Sequence, residues 1–293
     1  MTAFVPQNFL GLPEDVATYA QARVVVLPIP YASTTSYGGG ARFGPSAILE
    51  ASRQVELFDE ELRRTPADVG VHTLPPLEPV MSGPDAMLAA VEEAAAPLFA
   101  DGKLVLGLGG EHSVTVGLAR ACLRHHREVS FLHIDAHADL RDSYEGTPLS
   151  HACAARRLLE LGPVTSVGIR NISEEEYTFA TQSGQLSRIV WARDLADAHD
   201  DHWIDRVIAS LGETVYVTFD LDGLDPSVIP ATGTPEPGGM SWYQALRLLR
   251  RVGEQRKVVG CDVVELAPIP GSHASDFAAA KLAYKMIGYF AQR

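Results

Sequence analysis

The chain has 293 residues, of which 46% are hydrophobic and 21% charged, a composition that excludes a disordered polypeptide and allows a sizeable two-sided core. Its formal net charge of −13, from 24 Lys+Arg against 37 Asp+Glu, argues against a nucleic acid or an anionic membrane as partner and suits a cationic ligand. No stretch approaches the ~20 apolar residues that span a bilayer, and the N-terminus lacks the basic start and apolar run of a signal peptide.

Short β-branched runs alternate with alanine- and leucine-rich amphipathic stretches. In chain order the pattern predicts strand 23–28, helix 45–53, strand 68–72, helix 84–100, strand 103–108, helix 114–126, strand 129–134 and helix 151–161. It continues with strand 164–169, helix 174–183, strand 187–191, helix 200–211, strand 214–219, helix 241–253, strand 257–263 and helix 274–291. Pro45 suits a first helical position, and Ser241 can cap the helix that follows it. Strands 104–108, 129–134 and 214–219 are apolar almost throughout, as strands covered on both faces are. The alternation implies an α/β fold with a mostly parallel sheet and helices on both sides. No repeat or linker interrupts it, so one domain over residues 1–293 is expected. Cys122, Cys153 and Cys261 are far apart and form no disulfide framework or CxxC zinc pair, and a cytoplasmic location is expected.

Ligands of open parallel sheets bind beyond the carboxyl ends of the strands, and there the polar residues stop being random. Gly109-Gly110-Glu111-His112-Ser113 follows one strand, Asp135-Ala136-His137-Ala138-Asp139 follows a second, and Asp220-Leu221-Asp222 closes a third. In an extended chain residues two apart share a face, so Asp135, His137 and Asp139 are expected to project together, as are Asp220 and Asp222. Two imidazoles and four carboxylates result. Four clustered carboxylates repel one another unless cations neutralise them, and six ligands suffice for two divalent ions if carboxylates bridge. Imidazole and carboxylate without thiolate favour a hard ion such as Mn²⁺, while Zn²⁺, Fe²⁺ and Ni²⁺ stay open. His133 shares strand parity with Asp135 and either orients that carboxylate or is a satisfied core histidine. The remaining histidines, His199 among them, have no motif support and are read as structural or solvent-facing.

With these segments the chain resembles the arginase–agmatinase (ureohydrolase) family from Val24 to the C-terminal helix. The matching motifs are the His112 and Asp135–Asp139 segments, Ser150-His151-Ala152, Gly168-Ile169-Arg170, Asp220-Leu-Asp-Gly-Leu-Asp225-Pro226, Thr232-Gly-Thr-Pro235 and Val264-Glu265-Leu-Ala-Pro268. The resemblance implies a three-layer α/β/α fold around an eight-stranded sheet, two Mn²⁺ ions per subunit, and a homo-oligomer, trimer or hexamer. By the family pattern His112, Asp135, Asp139 and Asp220 hold one ion, and Asp135, His137, Asp220 and Asp222 hold the other. It also implies catalytic roles: Asp139 carries a proton from the attacking water to the leaving amine, and Glu265 holds the substrate guanidinium. His151 acts as general acid, base or shuttle. Such a centre would hydrolyse a guanidinium group to urea and an amine, with bound metal lowering the pKa of water from 15.7 to about 7.

The family's arginases read the α-carboxylate and α-ammonium of arginine with groups that Thr147–Ser150 and Asn171–Ser173 do not supply. The Tyr144–His151 stretch and the Thr234–Gly239 loop resemble agmatinases instead. The expected substrate is therefore small and cationic, with agmatine first, its guanidine end at Glu265 and His151 and its far end near Gly38–Gly40, Asn171 and Thr234–Gly239. Alternatives are N1-aminopropylagmatine, guanidinobutyrate or arginine, or a non-catalytic polyamine-binding relative. Glu174, Glu175 and Glu176 are read first as first-turn acidic residues that suit the helix dipole. Asp225 is expected to fix the loop after Asp222, and Cys153 stands where a Thr, Ser or Gly is expected, with a redox role open.

Overall fold

A computed structural model describes residues 6–13, 15–196 and 200–291 of the chain, so His199 lies outside the described residues. Eight strands form one sheet: β1 (Val24–Ile29), β2 (Val71–Thr73), β3 (Leu104–Gly109), β4 (Val129–Ile134), β5 (Val164–Ile169), β6 (Ile189–Trp191), β7 (Thr214–Asp220) and β8 (Lys257–Val264). Their order is β2-β1-β3-β8-β7-β4-β5-β6, and every neighbouring pair is parallel. All carboxyl ends therefore lie along one edge.

Strand alternation divides the core into two layers. Val24, Val26, Leu106, Leu132, Val217 and Phe219 point to one face. They meet α1 (Gly44–Ser52), α7 (His202–Ser210), α8 (Trp242–Gln255) and α9 (Ala274–Phe290) through Ile48, Ile204, Leu249 and Ile287. Val25, Leu27, Val105, Phe131 and Tyr216 point the other way, onto α2 (Pro84–Ala100), α3 (Val114–Leu123) and α4 (Ala154–Leu159) through Val91, Leu118 and Leu158. The result is the expected three-layer α/β/α arrangement. Two further helices, α5 (Glu174–Ser183) and α6 (Ala192–Ala196), lie beside β5 and β6.

The central strands match the periodicity closely, whereas the edges do not. The strand expected at 68–72 is reduced to Val71–Thr73, because Pro66–Val69 forms a 3-10 turn. β6 keeps three residues. Both are the outermost strands and pair on one side only, so fewer ladder bonds hold them. The helix expected from 151 opens as a separate 3-10 turn, His151–Cys153, before α4. α6 was not anticipated. Among the described residues no helix is long and apolar enough to cross a membrane.

Candidate metal centre

Strand order sets the site. β3, β8, β7 and β4 are consecutive neighbours, so the segments leaving their carboxyl ends form one contiguous arc. At the end of β3 the chain runs tightly against β1: Gly110 N–H donates to Ile29 O at 2.9 Å and Glu111 N–H to Tyr31 O at 2.8 Å. A Cβ on Gly110 would fall 2.0 Å from Tyr31 O, so this approach requires glycine. His112 follows, buried, with Nε2 2.9 Å from Thr218 Oγ1, which donates to Asp262 Oδ1 at 2.7 Å. That chain orients the ring and turns Nδ1 toward three carboxylates, 3.0 Å from Asp135 Oδ2, 3.4 Å from Asp139 Oδ2 and 3.1 Å from Asp220 Oδ2.

The extended geometry expected for the ligand segments does not persist past the strands. Asp139 takes φ 51°, in the left-handed region, and Leu221–Gly223 is a 3-10 turn. The carboxylates converge because they bond to their own backbone: Asp135 Oδ1 accepts His137 N–H at 2.6 Å, and Asp220 Oδ1 accepts Asp222 N–H at 2.9 Å. Asp222 Oδ1 accepts Ala136 N–H at 3.0 Å, tying the β7 turn to the β4 loop. His137 Nδ1 lies 3.1 Å from Asp222 Oδ2 and 3.5 Å from Asp135 Oδ1.

Two groups of side chains thus present converging ligand atoms, His112, His133, Asp135 and Asp139 in one and Asp135, His137 and Asp222 in the other, with Asp135 common to both. Asp220, at 3.1 Å from His112, completes the wall between them. Their titration is mutually opposed. Burial and then the Asp135 charge push Asp139 well above the usual carboxylate range. Burial, Asp222 and Asp135 do the same to Asp220. Burial also works to raise Asp135, yet His133, His112 and His137 hold it well below its ordinary value. Divalent cations would displace those protons and settle the carboxylates as anions. Buried His112 Nδ1 has no hydrogen-bond partner despite three carboxylates around it, as suits a nitrogen aimed at a cation rather than at a proton acceptor.

Residues 22–288 match the family model described as the Arginase family. The chain belongs to the arginase family. An N(1)-aminopropylagmatine ureohydrolase of Synechocystis sp. is 45% identical, with 98% of this chain and 95% of that protein covered. An agmatinase of Pyrococcus horikoshii is 36% identical, covering 92% and 93%. Among solved structures, the agmatine ureohydrolase of Thermoplasma volcanium superposes with a TM-score of 0.87 at 32% identity, covering 98% of this chain and 95% of the other.

In this arginase-family chain the other residues singled out from the sequence line the same pocket. His151, Asn171 and Glu265 join His112, His137, Asp139 and Asp222 there, with Tyr37 and Tyr144 among the remaining walls. Glu265 directly follows β8 with φ 65°, in the left-handed region, a conformation that costs a non-glycine residue energy and that clusters at functional sites. Its Oε1 accepts His112 N–H at 2.7 Å, and burial together with the Glu111 charge pushes its carboxyl up to about 8. His151 is lowered by burial. Asn171 lies at the rim, where its amide donates to Glu236 Oε1 at 2.5 Å.

His133 is no isolated core histidine: its Nε2 lies 2.8 Å from Asp135 Oδ2 and its Nδ1 3.1 Å from Ser166 Oγ, so it orients that carboxylate. Asp225 fixes its loop, accepting Ser227 N–H, Gly238 N–H and Gly239 N–H. Glu176 completes a capping box with Ser173 and also accepts Leu140 N–H at 2.9 Å, so its oxygens serve the start of α5. Burial raises the Cys153 thiol to about 11, which opposes a redox role at neutral pH. Sequence reasoning missed Thr218 and Asp262 behind His112, and Thr34 and Glu111 behind His151. Glu111 stood inside a quoted motif; Thr34 carried no signal.

Proposed function

We propose that the chain hydrolyses the guanidinium group of agmatine, releasing urea and putrescine, with two Mn²⁺ ions held by His112, Asp135, His137, Asp139, Asp220 and Asp222. The observation that carries this reading is the convergence of two imidazoles and four carboxylates in one pocket with Glu265 and His151. Asp135 and Asp220 would be among the carboxylates that hold the ions. When bound, the ions supply a water acidic enough to attack near neutral pH.

Glu265 is the guanidinium anchor. One of its oxygens is taken by His112 N–H, which leaves the other free for a charge-assisted contact with the cation. Asp139, on the strained turn after β4, takes a proton from the attacking water and passes it to the departing amine. His151, across the pocket on the 3-10 turn before α4, moves protons at the outer side of the site, and its lowered pKa leaves it neutral and able to accept one. Asn171 and Thr234 meet the distal end of the substrate. A cytoplasmic homo-oligomer is part of the same reading.

The Thr147–Ser150 and Asn171–Ser173 segments lack the arginase-type partners for a carboxylate on the substrate's α-carbon, whose uncompensated desolvation disfavours arginine. A second reading is that N1-aminopropylagmatine is the preferred substrate. It is favoured by the 45% identity to a ureohydrolase named for that compound, against 36% to an agmatinase. Urea release at saturating Mn²⁺ from agmatine, N1-aminopropylagmatine, arginine and 4-guanidinobutyrate separates these. Agmatine turnover well above that of arginine is expected. A strong preference for N1-aminopropylagmatine would transfer the assignment to the longer polyamine, faster arginine turnover would overturn it, and no urea from any would remove the reaction class.

A further inference from the structure

Glu111 is fully buried next to His112 in sequence and outside the proposed ligand set, and four donors converge on it. Ser33 N–H and Thr34 N–H donate to Oε2 at 2.5 and 2.7 Å. Ser113 Oγ–H and Thr34 Oγ1–H donate to Oε1 at 2.5 and 2.9 Å. The two backbone N–H groups can only donate, so Oε2 is committed as an acceptor, and a carboxylate oxygen accepts both hydroxyl protons at Oε1. The loop after β1 is thereby pinned to the end of β3.

Thr34 stands between this anchor and His151. Its Oγ1 is 3.2 Å from His151 Nδ1 and accepts His151 N–H at 3.0 Å. A hydroxyl carries a single hydrogen, and that of Thr34 is given to Glu111. Oγ1 can then only accept from the ring, which requires the proton of neutral His151 to sit on Nδ1. Ser150 Oγ lies 3.3 Å from the same nitrogen and is able to accept the same proton. The lone pair of the imidazole is left on Nε2, at the opposite corner of a ring that lines the pocket.

We propose that Glu111 and Thr34 are positioning residues that fix His151 as the Nδ1–H tautomer, so that Nε2 faces the substrate as the proton acceptor. The relay rests on the role given to His151 above and adds the reason why that histidine is set as an acceptor and not as a donor. It runs carboxylate to hydroxyl to imidazole, with the hydroxyl transmitting direction: reversing the Thr34 hydrogen reverses the tautomer. Loss of the correct tautomer, with geometry otherwise kept, is an effective way to disable a catalytic histidine.

Two substitutions act on different members of the chain. Thr34→Val removes the hydroxyl at nearly constant shape, and Thr34→Ser restores it. Glu111→Gln keeps an oxygen for the two backbone N–H groups and places an NH₂ toward Thr34 Oγ1, turning its hydroxyl toward Nδ1. In the Mn²⁺-loaded enzyme, Thr34→Val and Glu111→Gln are expected to lower kcat for agmatine by about 10- to 100-fold, with KM and bound metal unchanged in Thr34→Val. Thr34→Ser should keep near-normal kcat. In a His151→Ala background, Thr34→Val should cause no further loss. Undiminished kcat in Thr34→Val, or an equal loss with and without His151, overturns the relay while leaving the role of His151 standing. Full activity of His151→Ala alone removes that role, and the relay with it. A Thr34→Val protein that loses metal or its folded circular-dichroism spectrum would be structural damage and equally contradicts a positioning role.

Discussion

Glu265 combines a left-handed backbone with an acceptor bond from His112 N–H, so its free oxygen is aimed by the main chain and not by a flexible stem. Glu265→Gln keeps shape but removes the carboxyl group that a bound guanidinium would hold ionised against the upward push of burial. It is expected to lower agmatine turnover on the order of 100-fold with metal content unchanged; near-normal turnover would make Glu265 structural. Asp135 is different in kind, because its two oxygens face His112 and His133 on one side and His137 on the other. An amide there cannot neutralise two cations at once. Asp135→Asn, and Asp220→Asn on the same argument, are expected to lose at least one metal ion per chain and nearly all urea release, as elemental analysis beside the assay would show. Two retained ions with normal turnover would refute the ligand assignment. The convergence of these His and Asp side chains was legible because each segment carries its own spacing. The partners of His112 and His151 were not: Glu111 and Thr34 are 77 residues apart, and Thr218 reaches His112 across 106. Local pattern holds no record of which loops meet.

At the scale of elements, the central strands were legible for a physical reason. β3, β4 and β7 are buried throughout, apart from Thr214, and so read as almost wholly apolar runs. The edge strands β2 and β6 keep three residues each, too short for a period to assert itself. The α5 capping box could have been found, since Ser173 followed by Glu176 has the required spacing. The condition that the chain stays extended past the strands is not met, because side-chain-to-backbone bonds at Asp135 and Asp220 curl the chain as soon as the ladder ends, yet the side chains still converge. The junction of β1 and β3 is the tightest of these. At Gly110 the nearest obstacle to a Cβ is backbone, the Tyr31 carbonyl oxygen at 2.0 Å, which cannot rotate away. Gly110→Ala must therefore shift Glu111 and His112. It is expected to cost about 1–3 kcal/mol, seen as a lower denaturation temperature, and to weaken metal binding. A variant with wild-type melting and metal content would show that the junction has slack.

For the molecule as a whole, the parallel sheet does the assembling. Because β3, β8, β7 and β4 lie side by side with their carboxyl ends at one edge, four segments distant in sequence bring His112, Glu265, Asp220, Asp222 and the Asp135–Asp139 segment to one pocket. The net charge of −13 is in keeping with a cationic substrate, although specificity lies in the pocket walls and not in that overall field. The proposed function requires that two metal ions, held in this pocket, drive hydrolysis of a guanidinium group. It is tested most directly by stripping the protein with chelator, adding Mn²⁺ in measured equivalents, and following urea release from agmatine. The expected result is no release without metal and a rise that reaches its plateau at two equivalents per chain. Full activity in the stripped protein, or a plateau at one equivalent, would contradict it.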